Sequence, residues 1–474
     1  MGKLTVVSIK RIMNKYFFWT ILIASMLSFL YCSPNDKRDS VKENEKIQKD
    51  RDSIASEMQK LYKNEFDLWY PLVIDTVYGG YFSDVNYKWE LDGPQDKMIV
   101  TQARHIWSVS NAALYYKNND YLLKVAAHGF KFLKNVMWDK EFGGFYNLVN
   151  REGQPIKEYG QLNKQVYGNA FAIYGLAAYY KVSKDIEALK LAQETFRWIE
   201  KHSYDPVYGG YFQFMSREGI PFKDGLGGVP PKDQNSSIHL LECFSELYEV
   251  WPDPVLKERL SSMLKIIRDK ITTKKGYLTL YFSKDWVPAS SRGFLPDDKQ
   301  ANFEFDHVSF GHDIETAYLL LEASNVLGIK NDTVTLNVAK KMVDHSYNNG
   351  MDKVNWGLFD EGSYSSQTEG IKIIKKTKEW WAQAEAMNSF LLMSDLFPEE
   401  KLPYYEKFCY QWNYIKKYLI DPKYGGWYWG GTDIMPGNIY AYKGSIWKCN
   451  YHTSRALINC LKRLRNNDKL SLDW

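Results

Sequence analysis

An Asp-x-x-x-Gly-Gly motif followed by two aromatic residues recurs four times along this chain, as Asp75 to Phe82, Asp139 to Tyr146, Asp205 to Phe212 and Asp421 to Tyr428. Two degenerate copies, Lys275-Gly276-Tyr277 and Asn355-Trp356-Gly357-Leu358-Phe359, fill the gap. Gly80, Gly144, Gly210, Gly276, Gly357 and Gly426 then follow one another at steps of 64 to 81 residues. Self-similarity at a nearly fixed period means one supersecondary unit used repeatedly, because the apolar face of each unit is covered only by its neighbours. Paired glycines between aromatics suit a tight turn at positive φ, where any other side chain is strained.

Each interval holds two helical patterns. Tyr167 to Tyr180 is small and apolar on all sides, as in a helix buried all round. Asp185 to Glu200 places apolar residues at three- and four-residue steps with charges between them, the pattern of an amphipathic outer helix. Inner helix, outer helix and glycine turn, six times over, predict an all-α fold, an (α/α)6 barrel of six helical hairpins over residues 56–474. An open helical solenoid is the architectural alternative.

The barrel is preceded by two segments of other character. Lys3, Lys10, Arg11 and Lys15 lead into an apolar run from Phe17 to Leu30, which stops at Cys32-Ser33-Pro34. This predicts an export signal over residues 1–32, with Cys32 placed as a bacterial lipoprotein acceptor although Tyr31 fits poorly before it; a plain signal peptide and an uncleaved anchor are the alternatives. The expected location is periplasmic or cell-surface, with any membrane contact made only through this N-terminal anchor. Residues 33–55 are almost wholly polar and read as a tether. Without the leader the formal charge of +4 falls to zero, which argues against a nucleic-acid partner. Cys243, Cys409, Cys449 and Cys460 show no paired CxxC spacing and read as free thiols rather than a disulfide framework or a zinc site.

The turn-to-helix distance locates a site. Arg104, Tyr167, Asn235, Trp381 and His452 each follow the second glycine of their turn by 23 to 26 residues; His312 follows Gly276 by 36, across an insertion. If the inner helices are parallel, these starts converge on one mouth of the barrel. The predicted pocket holds Arg104 and Trp107; Tyr167; Asn235, His239 and Glu242; His312 and Glu315; Trp381 and Glu385; and Trp447 with His452. Residues three apart are neighbours on a helix, so Glu315 is expected to hydrogen-bond His312, fix its tautomer and raise its pKa toward neutrality. His105, His128, His202, His307 and His345 fall outside this phase and read as structural. A metal held by His239, His312 and His452 stays open at this point.

Arg104-His-Ile-Trp107, Asn235-Ser-Ser-Ile-His239-Leu-Leu-Glu242, Gly311-His312-Asp-Ile-Glu315, Trp381-Ala-Gln-Ala-Glu385 and Trp447-Lys-Cys-Asn-Tyr-His452 together resemble the N-acylglucosamine 2-epimerase superfamily, and within it the cellobiose 2-epimerases. The resemblance spans about residues 55 to 465. It implies cofactor-free, metal-free epimerisation at C2 of a reducing-end sugar, with His312 and His452 as the proton-transferring pair. It also implies His239 and Asn235 as third histidine and companion amide, Arg104 near O1 and O2, and Trp381 and Trp447 packing on the sugars. Ser237 departs from the disaccharide enzymes, which usually carry a further histidine there. Tyr167 and Glu385 complete the expected binding set, with Glu242, Glu315 and Trp107 behind it.

The residue types fit that chemistry independently. Inverting C2 of an aldose needs ring opening, removal of the C2 proton and its return to the opposite face, hence two bases on opposite sides; histidine titrates in the right range. Aromatics make up 16% of the chain, a surplus that suits stacking on sugar rings. A glycoside hydrolase using two of Glu242, Glu315 and Glu385, a non-catalytic sugar-binding lipoprotein and an aldose–ketose isomerase are the competing readings.

Overall fold

The computed structural model describes residues 34–117, 119–289, 303–364 and 370–466, with backbone alone at 34–47, 303–304, 398 and 402. The expected export segment lies outside the described residues. Among them, no helix is long and apolar enough to cross a membrane. The chain divides into two compact units, one ending at Glu57 and one beginning at Met58. Where the sequence suggests a tether, the backbone is helical from Pro34, in α1 (Pro34–Trp69). Its Lys, Glu, Gln and Arg residues are good helix formers, and Gln48 donates to Asp52 one turn on (3.0 Å).

The second unit contains α2 (Ile99–Tyr115), α3 (Asp120–Phe132), α4 (Val166–Ser183), α5 (Ile186–His202), α6 (Gln234–Val250), α7 (Pro254–Ile266), α8 (Phe310–Val326), α9 (Thr333–Gly350), α10 (Trp380–Leu396), α11 (Lys401–Tyr418) and α12 (Tyr451–Leu464). The even-numbered helices form a ring: α2 packs on α4, α4 on α6, α6 on α8, α8 on α10, α10 on α12, and α12 returns to α2. This closure excludes the solenoid. Helices α3, α5, α7, α9 and α11 pack outside their even-numbered neighbours. The part of α1 beyond Met58 takes the sixth outer place, where Thr453 of α12 donates to Glu65 (3.3 Å). As its composition requires, α4 is buried on every side from Val166 to Tyr179.

The turns and the helix starts are locked together by a feature the sequence reading passed over. Asp75 accepts the amides of Val77 and Tyr78 on one oxygen, while its other oxygen takes the Lys97 ammonium at 2.9 Å. Lys97 also donates to the carbonyl of Gly79, and it lies two residues before α2. The arrangement recurs as Asp139–Lys164, Asp205–Lys232, Asp352–Lys378 and Asp421–Lys443, at 2.7–3.0 Å, with every lysine side chain at most 1% exposed. A buried pair of this kind is weak as a source of stability but strong as a specifier of register. Among the described residues the unit of α8 shows no such pair, but Asp313 accepts the Leu278 amide (2.8 Å) as Gln102, Asn169 and Gln383 accept the turn amides of Tyr81, Phe145 and Leu358 in their units.

Short antiparallel pairs finish the mouth. Strands β1 (Lys97–Met98) and β2 (Leu148–Val149), β3 (Asn163–Gln165) and β4 (Phe214–Ser216), and β5 (Lys232–Asp233) and β6 (Tyr281–Phe282) each tie the entry of one inner helix to the exit of the next turn. Strands β7 (Val308–Ser309), β8 (Glu361–Tyr364) and β9 (Ile371–Lys375) form a three-stranded version. The outer helices α3, α5, α7 and α9 are capped by the side chains of Asn119, Asp185, Asp253 and Asp332. Of the inner helices only α6 has such a cap, from Asp233. The positive ends of the others therefore face the mouth without a side-chain acceptor.

Candidate active site

A pocket of about 270 Å³ opens at that mouth, lined by Arg104, Tyr167, Asn235, His239, His312, Glu315, Glu379, Trp380, Trp381, Trp429, Trp447 and His452. Nine of the residues expected from the helix phase thus meet in one place. Glu242 and Glu385 stand directly behind its histidines. Trp107 does not reach it: its ring stacks on Tyr174 (5.2 Å) and meets Tyr451 edge-on, facing a second cavity of about 350 Å³ lined also by Lys181, Glu246 and Tyr318.

Two of the three histidines are tied back by carboxylates. His239 Nδ1 lies 2.8 Å from Glu242 Oε2, and His452 Nδ1 lies 2.8 Å from Glu385 Oε1. A carboxylate accepts only, so Nδ1 carries the proton and Nε2 is free as a base. His312 corrects the sequence reading. Its Nδ1 faces the Ser309 hydroxyl at 2.7 Å, whereas Glu315 turns away to Arg455, 3.9 Å from His452 Nδ1. An imidazole without a carboxylate in a buried pocket is hard to charge. Burial, together with His239, His307, His452 and Arg104, holds His312 down at about 3 rather than near neutrality. Burial pushes His452 down as well, against the upward pull of the Glu315 carboxylate.

Beneath the histidines lies Arg455, which the sequence reading did not single out. Its guanidinium is 1% exposed and binds Glu242, Glu315 and Glu385 at once, the last at 2.7 Å, and donates to Tyr451 Oη at 2.5 Å. Burial alone would raise Glu242; Arg455, His239 and Tyr451 outweigh it and hold Glu242 at about 2. Glu385 is raised, burial exceeding the pull of Arg455. Glu315, Glu385 and His452 have ligand atoms within 4.8 Å of one another, the one such grouping among the described residues. The cation that compensates these carboxylates is Arg455 itself.

The rest of the wall is cationic and aromatic. Arg104 lies 4.3 Å from the Phe171 ring centre and 4.9 Å from that of Tyr451, and donates to the Tyr167 hydroxyl (3.2 Å). Its Nε and the Asn235 Oδ1 are buried without a hydrogen-bond partner in the protein. Trp381 sits 4.8 Å from His312 and 5.7 Å from His452, with its Nε1 on Glu379 (3.1 Å). Trp447 is 49% exposed at the lip. Trp380 and Trp429 pack together at 4.8 Å over the buried Lys448. Sequence spacing missed Glu379, Trp380 and Trp429; adjacency to Trp381 was the available signal for the first two. Ser237 donates to the Asp233 carbonyl within its own helix (2.7 Å). Among the other histidines, His105 bonds Tyr70 (2.7 Å), His128 the Gly80 carbonyl (2.9 Å), His202 the Gly219 carbonyl (2.9 Å) and His345 the Tyr364 hydroxyl (2.8 Å), all away from the pocket, whereas His307 stands near enough to His312 to disfavour its charged form.

The chain matches the family model described as N-acylglucosamine 2-epimerase over residues 80–443. It is 31% identical over 416 residues to a cellobiose 2-epimerase of Ruminococcus albus, covering 86% of this chain and 98% of that one. Over 414 residues it is 28% identical to a cellobiose 2-epimerase of Bacteroides fragilis, with the same coverage. The solved cellobiose 2-epimerase of Bacillus thermoamylovorans superposes with a TM-score of 0.76 at 26% identity, over 87% of this chain and all of that one.

Proposed function

This chain belongs to the N-acylglucosamine 2-epimerase family, and from that premise we propose that it inverts C2 of a reducing-end aldose of the glucose/mannose type, by deprotonation and reprotonation through an enediolate. Its being an enzyme that acts as a sugar epimerase or isomerase follows from the relatives. The finer reading is carried by one observation: His312 and His452, on inner helices α8 and α12, both have Nδ1 engaged behind them and flank the same tryptophan in one pocket.

In this scheme the open-chain aldehyde lies between the two imidazoles. One Nε2 takes the C2 proton, the electron pair moves into an enediolate, and the other imidazole returns a proton to the opposite face. Arg104, charged and buried, stabilises the oxygens on which negative charge develops, and Asn235 and His239 hold the hydroxyls beside it. The carboxylates are poorly placed for glycoside hydrolysis, because Glu242, Glu315 and Glu385 are all turned to Arg455. Two tryptophans of different units, Trp381 and Trp447, line the pocket and offer stacking surface for two consecutive rings. We therefore assign a β-1,4-linked disaccharide such as cellobiose or mannobiose as substrate.

The test is incubation in D2O with cellobiose, mannobiose, glucose, mannose and N-acetylglucosamine, read by NMR. Deuterium at C2 of an epimeric aldose is expected, with kcat/KM highest for a disaccharide. A ketose product would make the enzyme an isomerase; a preference for any monosaccharide would sink the disaccharide assignment.

A further inference from the structure

The turn between α9 and α10 departs from its siblings at one position. Four turns have Gly79, Gly143, Gly209 and Gly425 there, all at positive φ; this one has Trp356, at φ 68°. A bulky residue in that region costs on the order of 1–3 kcal/mol. The conformation is held by the Lys378 ammonium on the Trp356 carbonyl (2.8 Å) and by Tyr414, whose ring lies against the next residue, Gly357. Of the six turns the Gly276 turn has Lys275 there without positive φ, so this one alone keeps a bulky side chain in that strained conformation, which points to a use for the side chain.

Trp356 lines a cleft of about 430 Å³ between this turn and α11, which shares no residue with the pocket at the barrel mouth. Tyr410 is 55% exposed in it and meets Trp356 edge-on at 4.9 Å. Tyr418, the amides of Asn355 and Asn413, and the ammonium groups of Lys353 and Lys417 complete the lining, with no carboxylate, thiol or imidazole among them. That set excludes a metal site. Aromatic faces beside amides are the complement of a pyranose, which presents apolar C–H faces and a rim of hydroxyls, and the volume is that of a small-molecule site. Trp356 Nε1 has no hydrogen-bond partner in the protein.

We propose that this cleft is a second carbohydrate site, which holds a pyranose chain against Trp356 and Tyr410 apart from the catalytic pocket. It draws on the proposed sugar chemistry only for the class of ligand. The two lysines admit either a neutral or a uronate-bearing chain, and the experiment separates them.

Affinity electrophoresis of the full-length protein, in gels containing a soluble β-1,4-glucan, a β-1,4-mannan or a uronate-bearing polysaccharide, reads binding apart from turnover. The wild type should be retarded by at least one polymer. Trp356→Gly, which restores the residue of the sibling turns, and Tyr410→Ala should each weaken retention about tenfold, with kcat/KM on a disaccharide unchanged. Absence of retention in every gel, or retention that neither substitution alters, would overturn the proposal. So would retention by the acidic polymer alone that salt abolishes and both variants keep. Ring-dependent retention of a wild type that epimerises none of the sugars would support the cleft and count against the catalytic reading instead.

Discussion

Replacing Arg455 by methionine tests whether one buried cation organises the histidines proposed to carry the proton. The wild-type cluster places one guanidinium against three carboxylates, Glu242, Glu315 and Glu385, all at most 1% exposed. Methionine fills much of the volume and removes the guanidinium that pairs directly with all three. Glu242 gives the magnitude. A fully buried carboxylate held at about 2 instead of its usual 4.5 contributes roughly 3 kcal/mol at neutral pH, which agrees with the ~3–5 kcal/mol for breaking a buried pair on one side. Because the folded pKa is depressed, the contribution is complete above about pH 4.5 and disappears as the pH falls toward 2. The deficit of Arg455→Met should therefore be about 3 kcal/mol in urea unfolding at pH 7 and shrink at pH 3–4. Its kcat should fall about 10²-fold, the low end for losing a positioned acid or base, and the acidic limb of its pH–rate profile should move upward, since uncompensated carboxylates favour the imidazolium of His452. A deficit below about 1 kcal/mol that is flat with pH would refute this account of the cluster.

His312→Ala and His452→Ala should each lower epimerisation by about 10²- to 10⁴-fold with the circular dichroism spectrum unchanged; retention of a tenth of the wild-type rate by either would end the two-base assignment. Trp447→Ala, at the lip, should weaken kcat/KM for a disaccharide about tenfold and leave a monosaccharide nearly unaffected, and equal losses for both would place the tryptophan outside the second ring's contacts. His105 and His312 are each held at about 3 by burial, so the unfolded chain binds more protons than the folded one between about pH 3 and 6.5. Stability should accordingly drop by roughly 2 kcal/mol for each of them between pH 7 and pH 5. Glu65 and Glu322, both raised to about 7 by burial, take up protons in the same interval and pull the other way. The check is therefore the Tm difference between the wild type and His312→Gln: a difference that does not change between pH 7 and pH 5 would contradict the neutral burial of His312.

The glycines betrayed the barrel because positive φ leaves a mark that substitution rarely erases, and the constant distance from glycine to helix start carried Arg104, Tyr167, Asn235, Trp381 and His452 into one pocket. Lys97, Lys164, Lys232, Lys378 and Lys443 repeat with the same period, two residues before an inner helix or in the corresponding loop, yet lysine reads as surface. Only the folded turns show what each ammonium meets. Arg455 was hidden for another reason: its partners are 70, 140 and 213 residues away, and a helical pattern says nothing about which charges converge on a barrel axis. That convergence also explains the error over Glu315. Three residues from His312 it is a sound local partner, but a buried carboxylate gains more from a guanidinium than from a neutral imidazole, so it joins Arg455 and His312 is left with Ser309. The outcome is an asymmetry between the two proposed bases. His452 has a carboxylate behind its Nδ1 and His312 only a hydroxyl, while burial holds both below the ordinary imidazole range. In the proposed inversion an acid must face a base, and what distinguishes the two imidazoles is the group behind each Nδ1, which follows from the carboxylates that Arg455 claims.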